Sequence, residues 1–213
     1  MKEYHKIKTV FSRDPATKMR TLLMGNYALP EFEFLAGNEW TFTEKVDGTN
    51  IRIMWDGESV VLGGKTDNAQ IPAFLVKRLQ DLFMTAPARL KLKEKFPDGA
   101  CLYGEGYGAK IQKGGGNYKA DGVDFVLFDV RVGEWWLERK NVEDVANFLG
   151  IDVVPSWGRG TLPEMIKFVQ KGFRSNWGNF DAEGIVARPV VELKTRSGHR
   201  IITKIKHKDF VKA

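Results

Sequence analysis

Short runs of alternating apolar and polar residues recur along most of this chain, and they carry the first structural message. WTFTEKV (40–46), NIRIMWDG (50–57), ESVVLGG (58–64), ACLYGEGYG (100–108), VDFVLFDVRV (123–132), EWWL (134–137), EGIVARPVVEL (183–193) and HRIITKIK (199–206) are rich in β-branched and aromatic residues, as strands are. DGES joins two of these runs as a hairpin turn, and VGE joins two more. Three segments switch to helical spacing. In IPAFLVKRLQDLF, Ile71, Phe74, Leu75, Leu79, Leu82 and Phe83 share one face, and Pro72 suits a first turn. NVEDVANFLG offers Asn141 as N-cap and Gly150 as stop, while TLPEMIKFVQKG opens on a Thr161/Glu164 capping box and closes at Gly172. Strands outnumber helices and follow one another directly, which predicts an α+β fold with largely antiparallel sheets. No linker or repeat interrupts the chain, so a single domain over 1–213 is expected.

Composition narrows the setting. No apolar run reaches the roughly 18–20 residues that cross a bilayer, so no membrane partner is expected. MKEYHKIKTVFSRD lacks the apolar core of a secretory signal. A single cysteine, Cys101, leaves no internal disulfide, suits the cytoplasm and rules out a Cys-rich zinc site, and the presence of only three histidines argues against a His-based one. The net charge of +6 is concentrated at the ends: six Lys/Arg against two acids in residues 1–20, and seven against two in 192–213. Such ends point to a polyanion.

Charged residues also sit where strands should be apolar. They are Lys45 in EKVDGTN, Lys65 in GGKTDN, Glu105 in LYGEGYG, Glu183 in DAEGIVARP, and Lys204 with Lys206 in ITKIK. Residues i and i+2 of a strand share a face, so Lys204 and Lys206 point together and need an anion between them, with phosphate the obvious candidate. A lysine beside other cations can lose its proton and become a nucleophile. Carboxylates can hold ribose hydroxyls or a hydrated Mg²⁺, and the phenylalanines of DFVLFDV can stack on a base. AKIQKGGGNYK (109–119) lacks the GK[ST] ending of a phosphate-cradling loop and reads as a surface loop, with contact to a polyanion one use for it.

The ordered set EKVDGTN, GGKTDN, LYGEGYG, DFVLFDV, EGIVAR and TKIK resembles motifs I, Ia, III, IIIa, IV and V of the covalent nucleotidyltransferases. The asparagine after KVDGT makes it most similar to the RNA ligases that seal nicks in duplex RNA. The resemblance implies an ATP-grasp-like nucleotidyltransferase domain, with two mainly antiparallel sheets flanking the nucleotide and helices outside. It implies ATP and Mg²⁺ (or Mn²⁺) as cofactors, and an RNA partner presenting a nicked duplex or single-stranded ends. By the same resemblance Lys45 is the nucleophile, Glu183 positions the metal or the nucleophile, and Lys204 and Lys206 grip the α-phosphate. Glu105 would hold the ribose and Phe128 would stack on adenine, with Glu44, Asn50 and Lys65 grouped among the cofactor-binding residues. Two departures stand out. Lys65 replaces the arginine usual in motif Ia, and seven residues follow Lys206 where relatives carry an OB-fold or helical domain. A partner protein replacing that domain is one expectation this raises. The same residues allow a minimal ATP-dependent DNA ligase acting on DNA, or an inactive RNA-binding relative.

Overall fold

Strands dominate the computed structural model of the chain, which describes residues 3–211. In chain order they are β1 (Lys8–Thr9), β2 (Phe11–Arg13), β3 (Leu22–Tyr27), β4 (Trp40–Glu44), β5 (Thr49–Trp55), β6 (Val60–Gly63), β7 (Ala100–Gly108), β8 (Val123–Val132), β9 (Trp135–Trp136), β10 (Asp152–Val153), β11 (Ser156–Gly160), β12 (Gly184–Pro189) and β13 (Thr203–Lys206). The helices are α1 (Pro30–Phe34), α2 (Ala73–Phe83), α3 (Ala86–Lys95), α4 (Gly115–Tyr118), α5 (Arg139–Leu149) and α6 (Leu162–Lys171). They form two compact units. The first comprises the N-terminal residues through His5 with Asp47–Val154, and the second Lys6–Val46 with the chain from Pro155. The division falls inside EKVDGTN, after Val46.

The first unit is built on a sheet of order β10-β8-β7-β5-β6, with β9 beside β8. All its pairs are antiparallel except β10 with β8. One face is apolar and covered by helices. Ile51, Ile53, Leu102, Phe125 and Leu127 pack against Leu75, Leu79 and Phe83 of α2 and Val142 and Val145 of α5. This face explains the glycines of YGEGYG: a Cβ on Gly104 would lie 2.2 Å from the Phe125 ring, and one on Gly106 2.5 Å from Leu75. Removing those side chains lets a helix layer lie close on the strand.

The second unit holds a sheet of order β1-β13-β12-β4-β11 and the hairpin β2-β3. Phe42, Ile185, Ala187 and Ile205 face a core completed by Phe32 of α1 and by Met165, Ile166 and Val169 of α6. Thr203 and Ile205 are buried, whereas Lys204 and Lys206 alternate to the other face, as the period-2 pattern requires.

The architecture is α+β with mainly antiparallel sheets, as expected. α6 begins with the Thr161/Glu164 capping box, and α5 stops at Gly150 in the left-handed conformation (φ 74°). The start of α5 differs from the sequence reading, because Glu138 rather than Asn141 is the N-cap. The extra residues are held by Arg139, whose guanidinium donates to Glu143 one turn on and to the Val154 carbonyl, both at 2.6 Å. α3 was not anticipated: it buries Leu92 alone, and so it lacks the apolar stripe that announces a helix. No helix among the described residues is long and apolar enough to cross a membrane.

Candidate active site

Lys45 leaves β4 with its amide bonded to the Gly184 carbonyl at 2.9 Å, which places its side chain beside Glu183. One Glu183 oxygen meets Lys45 Nζ at 2.5 Å and the other meets Lys206 Nζ at 2.5 Å. The strand register makes this possible, since Gly184 lies opposite Lys206. Gly184 must be glycine: its φ is +152°, and a Cβ would sit 2.1 Å from the Ile205 carbonyl oxygen. All three side chains are largely buried, at 22%, 14% and 18% exposure for Lys45, Glu183 and Lys206. Burial pushes the Glu183 carboxyl up, but the Lys45 and Lys206 ammoniums outweigh it and hold the carboxyl below its ordinary value. The anion facing Lys206 is thus a protein carboxylate. Lys204 shares the open face of β13 with Lys206, opposite Val186.

Glu44, next to the proposed nucleophile in sequence, has a different setting. It is 1% exposed and pairs across the sheet with Ile185, on the core face. Its carboxylate accepts from Ser175 Oγ at 2.5 Å, the Asn176 amide at 3.0 Å and Trp157 Nε1 at 3.3 Å. These donors saturate it, so the carboxylate that sequence grouped with cofactor-binding residues acts here as an anchor for the end of β4. Ser175, Asn176 and Trp157 escaped the sequence reading because no spacing or periodicity links them to residue 44.

The remaining expected residues belong to the first unit. Asn50 and Glu105 are direct partners across β5 and β7, and Arg52 and Tyr103 are the next pair but one on the same face. Asn50 Oδ1 and Arg52 Nη1 are buried without a hydrogen-bond partner. Arg52 is fully buried, and its other nitrogens bond the Gly64 carbonyl and Asp67, both at 2.7 Å, which fixes the loop that carries exposed Lys65. Phe128 is the extra residue of a bulge, because Tyr103 pairs with Asp129 and Gly104 with Leu127. Tyr4 packs edge-on against the Phe128 ring, 5.1 Å between centroids, and donates its hydroxyl to Asp129 at 2.6 Å. Phe125 points the other way into the core, 1% exposed against Phe83. Trp135 is exposed while Trp136 joins the Tyr4 and Tyr103 rings, so that pair straddles the strand.

The KVDG turn itself is clamped. A Cβ on Gly48 would lie 2.3 Å from the Gly106 carbonyl oxygen, so only glycine lets the chain run this close to β7. The 109–119 segment, read from sequence as a loop, carries the short helix α4 and folds onto the turn: Gln112 donates to the Gly48 carbonyl at 3.2 Å, and the Tyr118 hydroxyl accepts from the Asp47 amide at 3.2 Å. In the basic ends some charges are answered internally, Arg13 by Asp209 and Arg200 by Glu192, each at 2.8 Å. Residues 1–2 and 212–213 of those ends lie outside the described residues.

No group of three or more metal-ligating side chains occurs among the described residues. A lone buried carboxylate such as Glu183 suits a hard cation that keeps water and takes phosphate oxygens, the habit of Mg²⁺, and does not suit zinc.

Comparison with known proteins bears on this arrangement. A family model described as RNA ligase matches residues 38–206. No curated protein matches the chain. Among solved structures, a Naegleria gruberi RNA ligase with PPi is similar, at TM-score 0.69 and 17% identity over 99% of this chain and 57% of that one. A mutant of that ligase with ATP and Mn gives TM-score 0.68 and 16% identity over 97% of this chain and 56% of that one. Another mutant, with AMP and Mn, gives 0.69 and 16% over 99% and 57%. At such identities the likeness is one of fold, and this chain spans little more than half the length of those ligases.

Proposed function

This chain belongs to the RNA ligase family, and from that premise we propose that it is an ATP-dependent polynucleotide ligase joining RNA 3′-hydroxyl and 5′-phosphate ends. In the first step the Lys45 amine attacks the α-phosphorus of ATP, a P–N bond forms, and pyrophosphate leaves. AMP then passes to the RNA 5′-phosphate, freeing Lys45. Finally the RNA 3′-hydroxyl attacks the activated phosphate, forming the phosphodiester and expelling AMP. The similar ligase structures with ATP, AMP and Mn support the choice of nucleotide and of a divalent metal. RNA is the substrate that the family supports, and the reducing cytoplasm suits a chain whose one thiol, Cys101, is buried.

The observation that carries this reading is the pair of contacts from Lys45 and Lys206 to the two oxygens of Glu183. Glu183 holds the Lys45 side chain in a fixed direction, and an ammonium engaged in that contact has no lone pair to attack with. Attack therefore requires that this contact loosen and the ammonium give up a proton. Lys206 helps by facing the α-phosphate as the negative charge there grows. A divalent metal, when bound, supplies charge that neutralises the nucleotide phosphates and competes for the carboxylate. In the first unit Glu105 is assigned to the ribose, Phe128 to the adenine face, and Asn50 and Lys65 to polar contacts with the nucleotide. Glu44 is assigned a positioning role through Ser175, Asn176 and Trp157.

Incubation with labelled ATP and Mg²⁺ tests the reading. The protein should gain a covalent AMP label, acid-labile and stable to base as a P–N bond to lysine is. Lys45→Ala should gain none, by gel and by intact mass. A label of undiminished yield on Lys45→Ala would move the nucleophile elsewhere.

A further inference from the structure

A second concentration of charge lies in the first unit, where a groove of about 390 Å³ is lined by Phe74, Lys77, Arg78, Asp81, Lys110 and Val123. On periodicity Phe74 belongs to the buried stripe of α2, yet it is 44% exposed while Leu75, Leu79 and Phe83 fill the core. Phe74, Lys77, Arg78 and Asp81 recur at i, i+3, i+4 and i+7, so one helix face presents a ring, two cations and an acid. On the loop side Lys110 has φ +68°, a left-handed conformation uncommon for a residue with a side chain. Its neighbours hold it there: the Ala109 amide bonds the Lys119 and Gly122 carbonyls, and the Ile111 amide bonds that of Gly108. Backbone held in such a state often marks a binding residue.

The charges around this groove do not cancel. Arg78 and Lys119 share one carboxylate, Asp124, at 3.0 and 2.8 Å. With Lys77 and Lys110 that makes four cations against two acids, and among the described residues neither Lys77 nor Lys110 has an ion-pair partner. An exposed ring beside unanswered cations matches the two chemistries of a nucleic-acid strand, stacking for a base and positive charge for its phosphates. A small anion would leave the ring unused.

We propose that this groove holds an RNA strand leading to one of the ends to be joined, with its phosphates on Lys77 and Lys110 and a base against Phe74. The choice of RNA rests on the ligase reading above. The test is anisotropy of a short labelled single-stranded oligoribonucleotide with the full chain, across roughly 50–300 mM salt. Lys77→Ala with Lys110→Ala should reduce the slope of log affinity against log salt by about 1.4, the value for two single-strand phosphate contacts. Phe74→Ala should weaken binding roughly 5- to 100-fold with the slope unchanged, as loss of one stacked base does. Lys93→Ala with Lys140→Ala removes equal charge from exposed positions that do not line the groove, and should do neither. AMP labelling of Lys45 should stay at the wild-type level in all of these variants. Equal effects of the two lysine pairs, or RNA binding indifferent to Phe74, would overturn the groove. If the wild type bound RNA but took no AMP label, the ligase reading would fall, and the groove would be judged on the binding data alone.

Discussion

The two sets of candidate residues handle polarity in opposite ways. In the second unit Lys45, Glu183 and Lys206 answer one another, and Glu44 is saturated by three protein donors. In the first, the face bearing Glu105 and Phe128 leaves Asn50 Oδ1 and Arg52 Nη1 buried without partners. A buried polar atom left unpaired costs about 1–3 kcal/mol, which a water or a ligand can offset. On the proposed reading, one set is a self-contained ion cluster whose contacts change as the chemistry proceeds, and the other is a surface whose contacts the nucleotide completes. Substitutions in the first kind should alter reaction and stability together, and those in the second should alter binding with little effect on the fold.

Glu183→Gln should produce the largest separation. Adenylylation should fall by on the order of 10²-fold or more, the scale for losing an electrostatic partner at a reacting centre. Stability should fall as well, by about 1–3 kcal/mol at neutral pH, because two cations lose their common anion. The pH dependence has a definite sign. The folded-state carboxyl lies below its ordinary 4.5, so its stabilisation is fully present above that value and is lost as pH falls through the depressed one. Thermal unfolding of wild type and variant should therefore differ most near neutrality and converge in acid. A gap that stayed constant into acid would mean that the ion cluster contributes nothing through charge.

Phe125 and Phe128 provide the same contrast within one strand. Phe125→Ala empties a core site under α2 and should cost about 3–5 kcal/mol, read by denaturant unfolding. Phe128→Ala removes a half-buried ring packed edge-on by Tyr4 and should cost about 1 kcal/mol. Its main effect should be on the nucleotide, with the ATP KM rising roughly 5- to 100-fold, the range for one lost stacking partner. If the two variants exchanged these signatures, the base-facing aromatic would be misassigned.

How much of this was legible beforehand depended on whether a feature repeats locally. Strands β7 and β8 match the runs ACLYGEGYG and VDFVLFDVRV because alternation and β-branching are written residue by residue. The shared face of Lys204 and Lys206 follows from the same period. That Phe125 and Phe128, three residues apart, face opposite ways follows from the strand period too, although the bulge that turns both Phe128 and Asp129 toward Tyr4 does not. Contacts made at long range left no local trace. Glu44 reaches Ser175 across 131 residues, and Tyr4 reaches Asp129 across 125. α3 hid for a different reason, since its single buried leucine gives no period to detect. Phe74 shows the converse, a residue on the apolar stripe by spacing that the fold leaves in solvent.

The smallest expected effect on the fold is also the most discriminating. Asn50 stands opposite Glu105, and its Oδ1 accepts nothing despite being buried. Asn50→Ala removes that atom together with its desolvation cost, while the small cavity it leaves works against stability. The two terms are of similar size, so unfolding free energy should change by no more than about 0.5 kcal/mol, the range of neutral substitutions. If a nucleotide hydroxyl or amine completes the contact, its loss should weaken nucleotide binding by roughly 5- to 30-fold, the equivalent of one hydrogen bond of about 1–2 kcal/mol. Calorimetric titration of ATP into the Lys45→Ala background, with and without Asn50→Ala, isolates binding from reaction. A drop in stability of 2 kcal/mol or so with unchanged nucleotide affinity would show that Asn50 already has a structural partner, such as a buried water, and the first unit would then be as self-contained as the second.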